Sequence, residues 1–225
     1  MSKRNTAAKT DYPPTARSRS KRLHQYAHYD RATVHAVLDA GVLCHVGYAI
    51  EGQPYVTPTA YWRDGEQVYW HGSSASRMLR QLESGVAVCF TVSLLDGLVL
   101  ARSGFNSSFN YRSVMAFGVA EKVVDAAEKE RALFAFSERL TPGRWAELRP
   151  PSAQEMKATT VMRLALREVS AKVSSGDPKD DEEDYGFPVW AGVLPVETRI
   201  GAPIADPRLL PGIAVPGYLK RFKVG

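Results

Sequence analysis

Long apolar runs are missing from these 225 residues. No stretch reaches the roughly 18 to 20 apolar residues that a membrane helix needs. Residues 1–22 hold no apolar run at all. That excludes a secretory signal within them and makes the cytoplasm the expected location. Cysteine is scarce: only Cys44 and Cys89 occur, each inside an apolar, strand-like run. Without a C-x-x-C pair there is no zinc knuckle and no thioredoxin-type motif, so two reduced core thiols are expected. Of the five histidines, His24 and His28 have i, i+4 spacing, but no H-E-x-x-H surrounds them, and no metal site is expected. A Walker-type G-x-x-x-x-G-K-[ST] loop and a G-x-S-x-G nucleophile elbow are both absent. The folded body also lacks strong charge. The net charge is +5, yet residues 1–22 alone carry seven Lys and Arg against Asp11. The remainder is close to neutral, so neither a nucleic acid nor a membrane is an expected partner.

What is present is an ordinary globular composition, 44% hydrophobic and 24% charged. Residues 1–25 read as a basic tail, disordered or loosely docked. Asp30 can cap a helix over 31–40 with Val34, Val37 and Leu38 on one face, stopped by Gly41. Strands then dominate: 42–50, 53–63 and 66–72, with Asp64-Gly65 as a two-residue hairpin turn. A short helix ends at Ser84-Gly85, and strands are predicted over 86–92, 94–103 and 111–124, with a loop over 105–110 and a possible bulge at Gly118. Asp125 and Glu128 have capping-box spacing ahead of a helix, and Ser152 and Glu155 repeat it. One more strand, 161–174, precedes an acidic loop over 179–184. The last segment, 198–225, reads as a Pro-rich arm ending in Lys220, Arg221 and Lys223. Six or seven hairpin-connected strands with two or three helices predict a mainly β fold, an antiparallel barrel with peripheral helices over 26–197.

Two stretches carry chemistry. In Tyr69-Trp70-His71-Gly72-Ser73-Ser74-Ala75-Ser76-Arg77 a strand ends at a glycine, serines follow, and a helix begins with an arginine. Unpaired N–H groups, hydroxyls and a guanidinium together make a phosphate cradle. An ordinary Ser cap with a solvent-facing Arg is the competing reading. In Ser108-Phe109-Asn110-Tyr111-Arg112-Ser113, Arg112 could hold a phosphate or a ring edge, or could pair with a carboxylate at a strand edge. His71 precedes the candidate phosphate loop and is the candidate catalytic group. A hydrogen-bonded rim histidine is the alternative.

Taken in order, V-Y-W-H-G-S-S-A-S-R at 68–77, L-L-D-G-L-V-L-A-R-S at 94–103, N-Y-R-S-V at 110–114, S-A-K-V at 170–173 and W-A-G-V-L-P at 190–195 resemble the pyridoxamine 5′-phosphate oxidase-related proteins, in particular the nitroimidazole-resistance-type branch. The resemblance implies an FMN-binding split β-barrel that works as a homodimer with the flavin at the interface. It carries Ser73, Ser76 and Arg77 onto phosphate-side positions. Thr57, Pro58 and Thr59, with Tyr69, Trp70, His71 and Gly72, fall along the ribityl chain and ring. Asn110, Tyr111, Arg112 and Ser113 approach from the barrel or its partner, and Lys172 and Trp190 complete the cofactor-binding set. Arg112 or Lys172 would stabilise the reduced flavin's charge. The implied activity is an FMN-dependent oxidoreductase acting on a small molecule, nitroreductase-like rather than a vitamin B6 oxidase. The alternative is a non-catalytic flavin or haem carrier of the same fold, for which His24, His28, His35, His45 or His71 would supply an axial ligand.

Overall fold

In the computed structural model, which describes residues 11–219, the barrel begins where Asp30 stops the chain from remaining extended. Strand β1 (Ala27–His28) precedes it, and the Asp30 side chain accepts from Thr33 N–H to start helix α1 (Arg31–Ala40). Helix α1 buries Val34, Val37 and Leu38 completely. Gly41 ends it at a place with no room for a side chain: a Cβ would lie 2.7 Å from the Tyr61 hydroxyl and 2.8 Å from Val92. That hydroxyl donates to Leu38 C=O at 2.6 Å.

Strands β2 (Leu43–Ile50) and β3 (Gln53–Asp64) follow, then β4 (Gln67–Ser73) across the Asp64-Gly65 turn, as the sequence predicts. Helix α2 (Arg77–Glu83) leads into β5 (Ala87–Leu100) and β6 (Ser108–Val119). The two strands expected over 86–92 and 94–103 are one strand of 14 residues, irregular between Leu95 and Gly97, because pairing with β6 continues on both sides of the irregularity. The expected bulge at Gly118 is absent, since the β5–β6 register is unbroken there. Its glycine instead admits Leu164, whose Cδ1 would lie 2.9 Å from a Cβ. Strand β7 (Glu121–Lys122) continues β6 past Ala120 and pairs with β8 (Thr159–Ala165). Between them lie helices α3 (Ala126–Leu140) and α4 (Ala153–Ala158). Ser152 and Glu155 form the full capping box, whereas Glu128 turns its carboxylate to Arg163. The single strand expected over 161–174 is two, β8 and β9 (Glu168–Ser174), and β10 (Gly192–Pro195) comes last.

The sheet order is β1-β9-β6-β5-β2-β3-β4-β8-β7, with β10 on β5. Because β6 runs into β7, the β7 end of this order returns to β6, and the sheet curls into a split barrel with helices outside. Period-2 alternation fills it with Cys44, Val46, Phe90, Val92, Val114, Ala116, Val169 and Ala171. A second cluster forms where α3 lies on the outer face: Trp62, Tyr69, Val161 and Ala132, with Phe136. No helix among the described residues is long and apolar enough to cross a membrane.

Of the two readings of the N-terminal tail, the docked one describes its second half. Residues 1–10 lie outside the described residues, but from Asp11 on the chain is docked. Tyr12 is 2% exposed, its ring lies under the Arg31 guanidinium, and its hydroxyl bonds Glu66 and His35. Thr15 and Arg17 bond Glu168 at the start of β9. Basic composition hid one large apolar ring with a complementary socket. The basic cluster at Lys220, Arg221 and Lys223 also lies outside the described residues.

Candidate functional site

The first candidate stretch lies at the end of β4. Ser76 is the N-cap of α2, its Oγ accepting from Leu79 N–H, and Ser73 Oγ accepts from Ala75 N–H. Both bonds use an oxygen lone pair, so each hydroxyl keeps its proton to donate. Helix α2 has only seven residues, which limits what its dipole adds. The closely packed partner of Gly72 is Leu79, whose Cδ1 would lie 3.1 Å from a Cβ. Arg77 is exposed and lays its guanidinium 4.6 Å from the centre of the Tyr55 ring. Tyr55 in turn stacks on Tyr48, and the Tyr48 and Thr57 hydroxyls are 3.3 Å apart. The loop 73–77 and the strand segment 55–59 therefore meet through Arg77 and Tyr55.

Strand β3 also has a free edge there. It pairs with β2 along residues 53–60, but with β4 only over 61–64. This explains how Pro54 and Pro58 sit inside a strand: proline is tolerated where no ladder bond is required on that side. Val56 is 68% exposed beside it, and Pro58 lies opposite the exposed His45. The hydroxyls and the cation thus meet the Tyr55 side of β3, while Val56 and Pro58 lie on the other face of the same free-edged strand.

His71 stands at the inner border of this region. Its ring packs against Phe136 at 4.6 Å and Trp62 at 5.9 Å, and its Nδ1 is buried without a hydrogen-bond partner. It is therefore not a hydrogen-bonded rim residue. Burial pushes the imidazole below its ordinary range, so it is neutral at pH 7. Tyr69 and Trp70 alternate to opposite faces, Tyr69 stacked on Trp62 beneath α3 and Trp70 in the barrel core near Phe90. Both side chains pack the fold among the described residues, which leaves the backbone of this strand as the part open to a cofactor.

The second candidate stretch is elsewhere in the same chain. Arg112, on β6, is separated from β3 by β5 and β2, about 14 Å at the usual strand spacing. It makes a two-pronged ion pair with Asp96, at 2.7 and 2.9 Å, the strand-edge pairing that competed with a phosphate role. That pair holds the Arg112 guanidinium above its ordinary value, with burial opposing. Strand β2 pairs with β5 only at residues 89–91, and β10 takes the same edge of β5 from Gly97 onward. The gap between them is a cleft of about 640 Å³, lined by Gly41, Leu43, Leu95 and Val196, with Arg112 and Asp96. Ser113 lies opposite Ser93, and Lys172 opposite Ser113. Asn110 donates to Gly176 C=O, Tyr111 lines a different cleft, and Trp190 is 65% exposed. One chain therefore does not gather these residues around the 73–77 loop. Sequence reading missed Asp96, Tyr55, Trp62 and Phe136. Only Trp62 left a signal, its register across the Asp64-Gly65 turn placing it opposite Tyr69. No group of three or more potential metal-ligating side chains occurs among the described residues.

The family model described as pyridoxamine 5′-phosphate oxidase matches residues 30–173. Comparison with curated proteins finds no match. Among solved structures, the flavocytochrome Anf3 from Azotobacter vinelandii is 50% identical, covering 95% of this chain and 100% of its own, with a TM-score of 0.91. An FAD and heme binding protein from Mycobacterium smegmatis is 36% identical over 88% of this chain and 98% of its own, with a TM-score of 0.85. A putative 5-nitroimidazole antibiotic resistance protein from Bacteroides thetaiotaomicron, 24% identical over 65% of this chain and 86% of its own at a TM-score of 0.56, shares the fold.

Proposed function

The chain belongs to the pyridoxamine 5′-phosphate oxidase family, and from that premise we propose that it is a homodimeric flavin- and haem-carrying redox protein, a flavocytochrome. The observation that carries this reading is the end-to-end likeness, at 50% identity, to a structure described as a flavocytochrome. The second likeness, to an FAD and heme binding protein, favours FAD over the FMN expected from sequence.

The residues present fit a flavin. Ser73 and Ser76 keep hydroxyl protons to donate, and Arg77 supplies a cation with no carboxylate partner among the described residues. Val56 and Pro58 offer a flat apolar edge. His71, neutral and beside that edge, can accept or hand on a proton at a ring nitrogen. A haem iron needs a neutral imidazole with open approach. His35 is engaged by Tyr12 and Glu66, and His28 faces Asp30. His71 is walled by Trp62 and Phe136. His24 and His45 are exposed without a hydrogen bond among the described residues; His45, on a face of β2 that also presents Leu43 and lies opposite Pro58, is the one we assign to hold the iron. When bound, the flavin would supply hydride or two-electron chemistry and the haem one-electron chemistry. The protein orients both and sets their surroundings. The half-site around Arg112 would face the partner's flavin across a two-fold axis, because within one chain β5 and β2 hold Arg112 about 14 Å from β3.

The test is the visible spectrum of the purified full chain, with released chromophores identified by mass. Flavin and Soret bands together are expected. Arg77→Ala should weaken flavin binding about tenfold, a lost charge-assisted bond of about 1.5 kcal/mol, while His45→Ala should remove the Soret band and leave the flavin. A colourless protein that takes up neither added FAD nor added haem overturns the reading.

A further inference from the structure

Residues directly opposite one another on paired strands share a face of the sheet. His45 lies opposite Thr91, Ser93 opposite Ser113, and Ser113 opposite Lys172. Thr91 and Ser93 are two positions apart on β5, so all five side chains stand on one face. It is the outer face, because the alternate residues Val46, Val92, Val114 and Ala171 fill the barrel.

That face is nearly without charge. Over 43–47 of β2, 89–95 of β5, 109–115 of β6 and 170–174 of β9, Lys172 is the single outward side chain with a formal charge, counting histidine as neutral. Lys172 is half-buried and has no carboxylate or hydrogen-bond partner among the described residues. A cation partly withdrawn from water without a counter-charge is costly, and an anionic group seated on it removes that cost. The hydroxyls of Ser113 and Ser93, next along the same row, are unbonded among the described residues and can donate to the same anion. Around this row, Leu43 is 52% exposed, Leu95 47% and Met115 42%. Small side chains stand between these apolar ones, which leaves a low floor on which a flat ring can lie. A flat apolar ring with an anionic edge is the shape and charge that this surface takes.

A haem has that shape, with carboxylates on its propionate arms. Lys172 stands three strands from His45 and is offset by two residues, about 16 Å between Cα atoms at the usual strand dimensions. Half the width of a porphyrin, its propionate arm and an extended lysine share such a span. A ring held at His45 and reaching toward β9 lies over β5 and β6, away from β3, whose free edge is left to the flavin.

We propose that Lys172, with the Ser113 and Ser93 hydroxyls, seats a propionate of the haem whose iron His45 holds, so that the porphyrin crosses the outer face of β5 and β6. This rests on the flavocytochrome reading above. It adds an orientation for the haem and gives Lys172 to the haem and not to the flavin.

The test reconstitutes the full chain, Lys172→Met and Lys172→Arg with protohaem and with its dimethyl ester, which lacks the carboxylate charge. The Soret band reads haem affinity, and released flavin is quantified in parallel. The parent's preference for protohaem over the ester should exceed that of Lys172→Met by about tenfold, the value of one charge-assisted bond, and Lys172→Arg should restore most of it. Flavin content and melting profile should not change. A Lys172→Met protein with the parent's preference overturns the seat and leaves the haem reading standing. Equal losses toward both haems also overturn it, because the lysine then acts on something other than a propionate. Loss of flavin with haem affinity unchanged assigns Lys172 to the flavin and overturns the proposal. A parent that takes up no haem overturns the flavocytochrome reading and the seat together.

Discussion

Removing one oxygen atom from Tyr12 should destabilise the whole domain. The ring is 2% exposed, and the hydroxyl donates to Glu66 at 2.7 Å while lying 2.9 Å from His35 Nε2. Since its own proton goes to Glu66, the tyrosine oxygen accepts from His35, which assigns the Nε2–H tautomer. Tyr12→Phe keeps the ring and its place under Arg31, but takes one donor from a half-buried carboxylate and one acceptor from a half-buried imidazole. A hydrogen bond to a charged group contributes about 1.5–3 kcal/mol. Glu66 retains Arg31, so the lower half of that range, about 1.5–2 kcal/mol, is expected. Tyr12→Ala would add a cavity cost of about 3 kcal/mol or more. Its total cannot exceed the docking free energy of residues 11–20, because beyond that the segment simply peels away. Acid should have the same sign of effect. Burial alone would raise the Glu66 carboxyl, but the Tyr12 bond and Arg31 outweigh it and hold it below its ordinary value. Burial and Arg63 push His35 down. Both folded-state values lie below the unfolded ones, so this stability is full above about pH 6.5, the ordinary histidine value, and falls with acid, first through His35 and then through Glu66. Urea unfolding of parent, Tyr12→Phe and a chain lacking residues 1–20, at pH 7.5 and pH 5.5, measures all of this. A Tyr12→Phe protein within about 0.5 kcal/mol of the parent, the range of a surface substitution, would refute the docked-segment argument.

Gly41→Ala should cost about 2–3 kcal/mol, since its Cβ meets Tyr61 and Val92 at once. The cost should fall by about half in a Tyr61→Phe background, which removes the nearer atom, and equal costs in the two backgrounds would show that the clash is not the cause. Asp180→Asn should loosen the 177–187 loop. The Asp180 side chain is fully buried against Arg102, 3.0 Å away, while Arg102 keeps some access to water. A loss of about 3 kcal/mol, the low end for a broken buried pair, should appear as faster proteolysis within 177–187, and an unchanged digestion pattern would count against it. His71 should titrate below the ordinary histidine value by NMR of the apoprotein, because burial disfavours the imidazolium. The resulting stability is present above about pH 6.5 and lost as acid drives protonation; a titration at or above the ordinary value would refute the buried placement.

Local chemistry made some of the fold readable. Asp30, Ser76, Asp125 and Ser152 each cap a helix, as side-chain oxygens at those positions should, and the Asp64-Gly65 hairpin joins β3 to β4. Breaks were harder to place. Asp96-Gly97 carries a turn signature, yet β5 runs through it, because twelve paired positions with β6 hold the strand together where two residues would bend it. The break at Leu166-Arg167 carries no turn signature and is made by tertiary pairing, β8 with β4 and β9 with β6. Docking of Tyr12 depends on Arg31, His35 and Glu66 meeting at one end of α1, which no pattern within residues 1–25 could reveal.

The candidate site divides along the same line. Ser73, Ser76 and Arg77 stay together because one short loop carries all three, and Arg77 reaches Tyr55 on β3. Arg112 and Lys172 were joined to them only by the resemblance; β5 and β2 stand between Arg112 and β3, and β6 as well between Lys172 and β3. Bringing both sets to one cofactor within a single chain would require breaking the β2–β5 or β2–β3 ladders, each made of buried, paired strand. A two-fold axis does it with no such cost, because it needs only the open apolar face and the open cleft that the chain already presents. On this argument the division of the site between distant strands, more than any single residue in it, is the physical reason to expect a second copy.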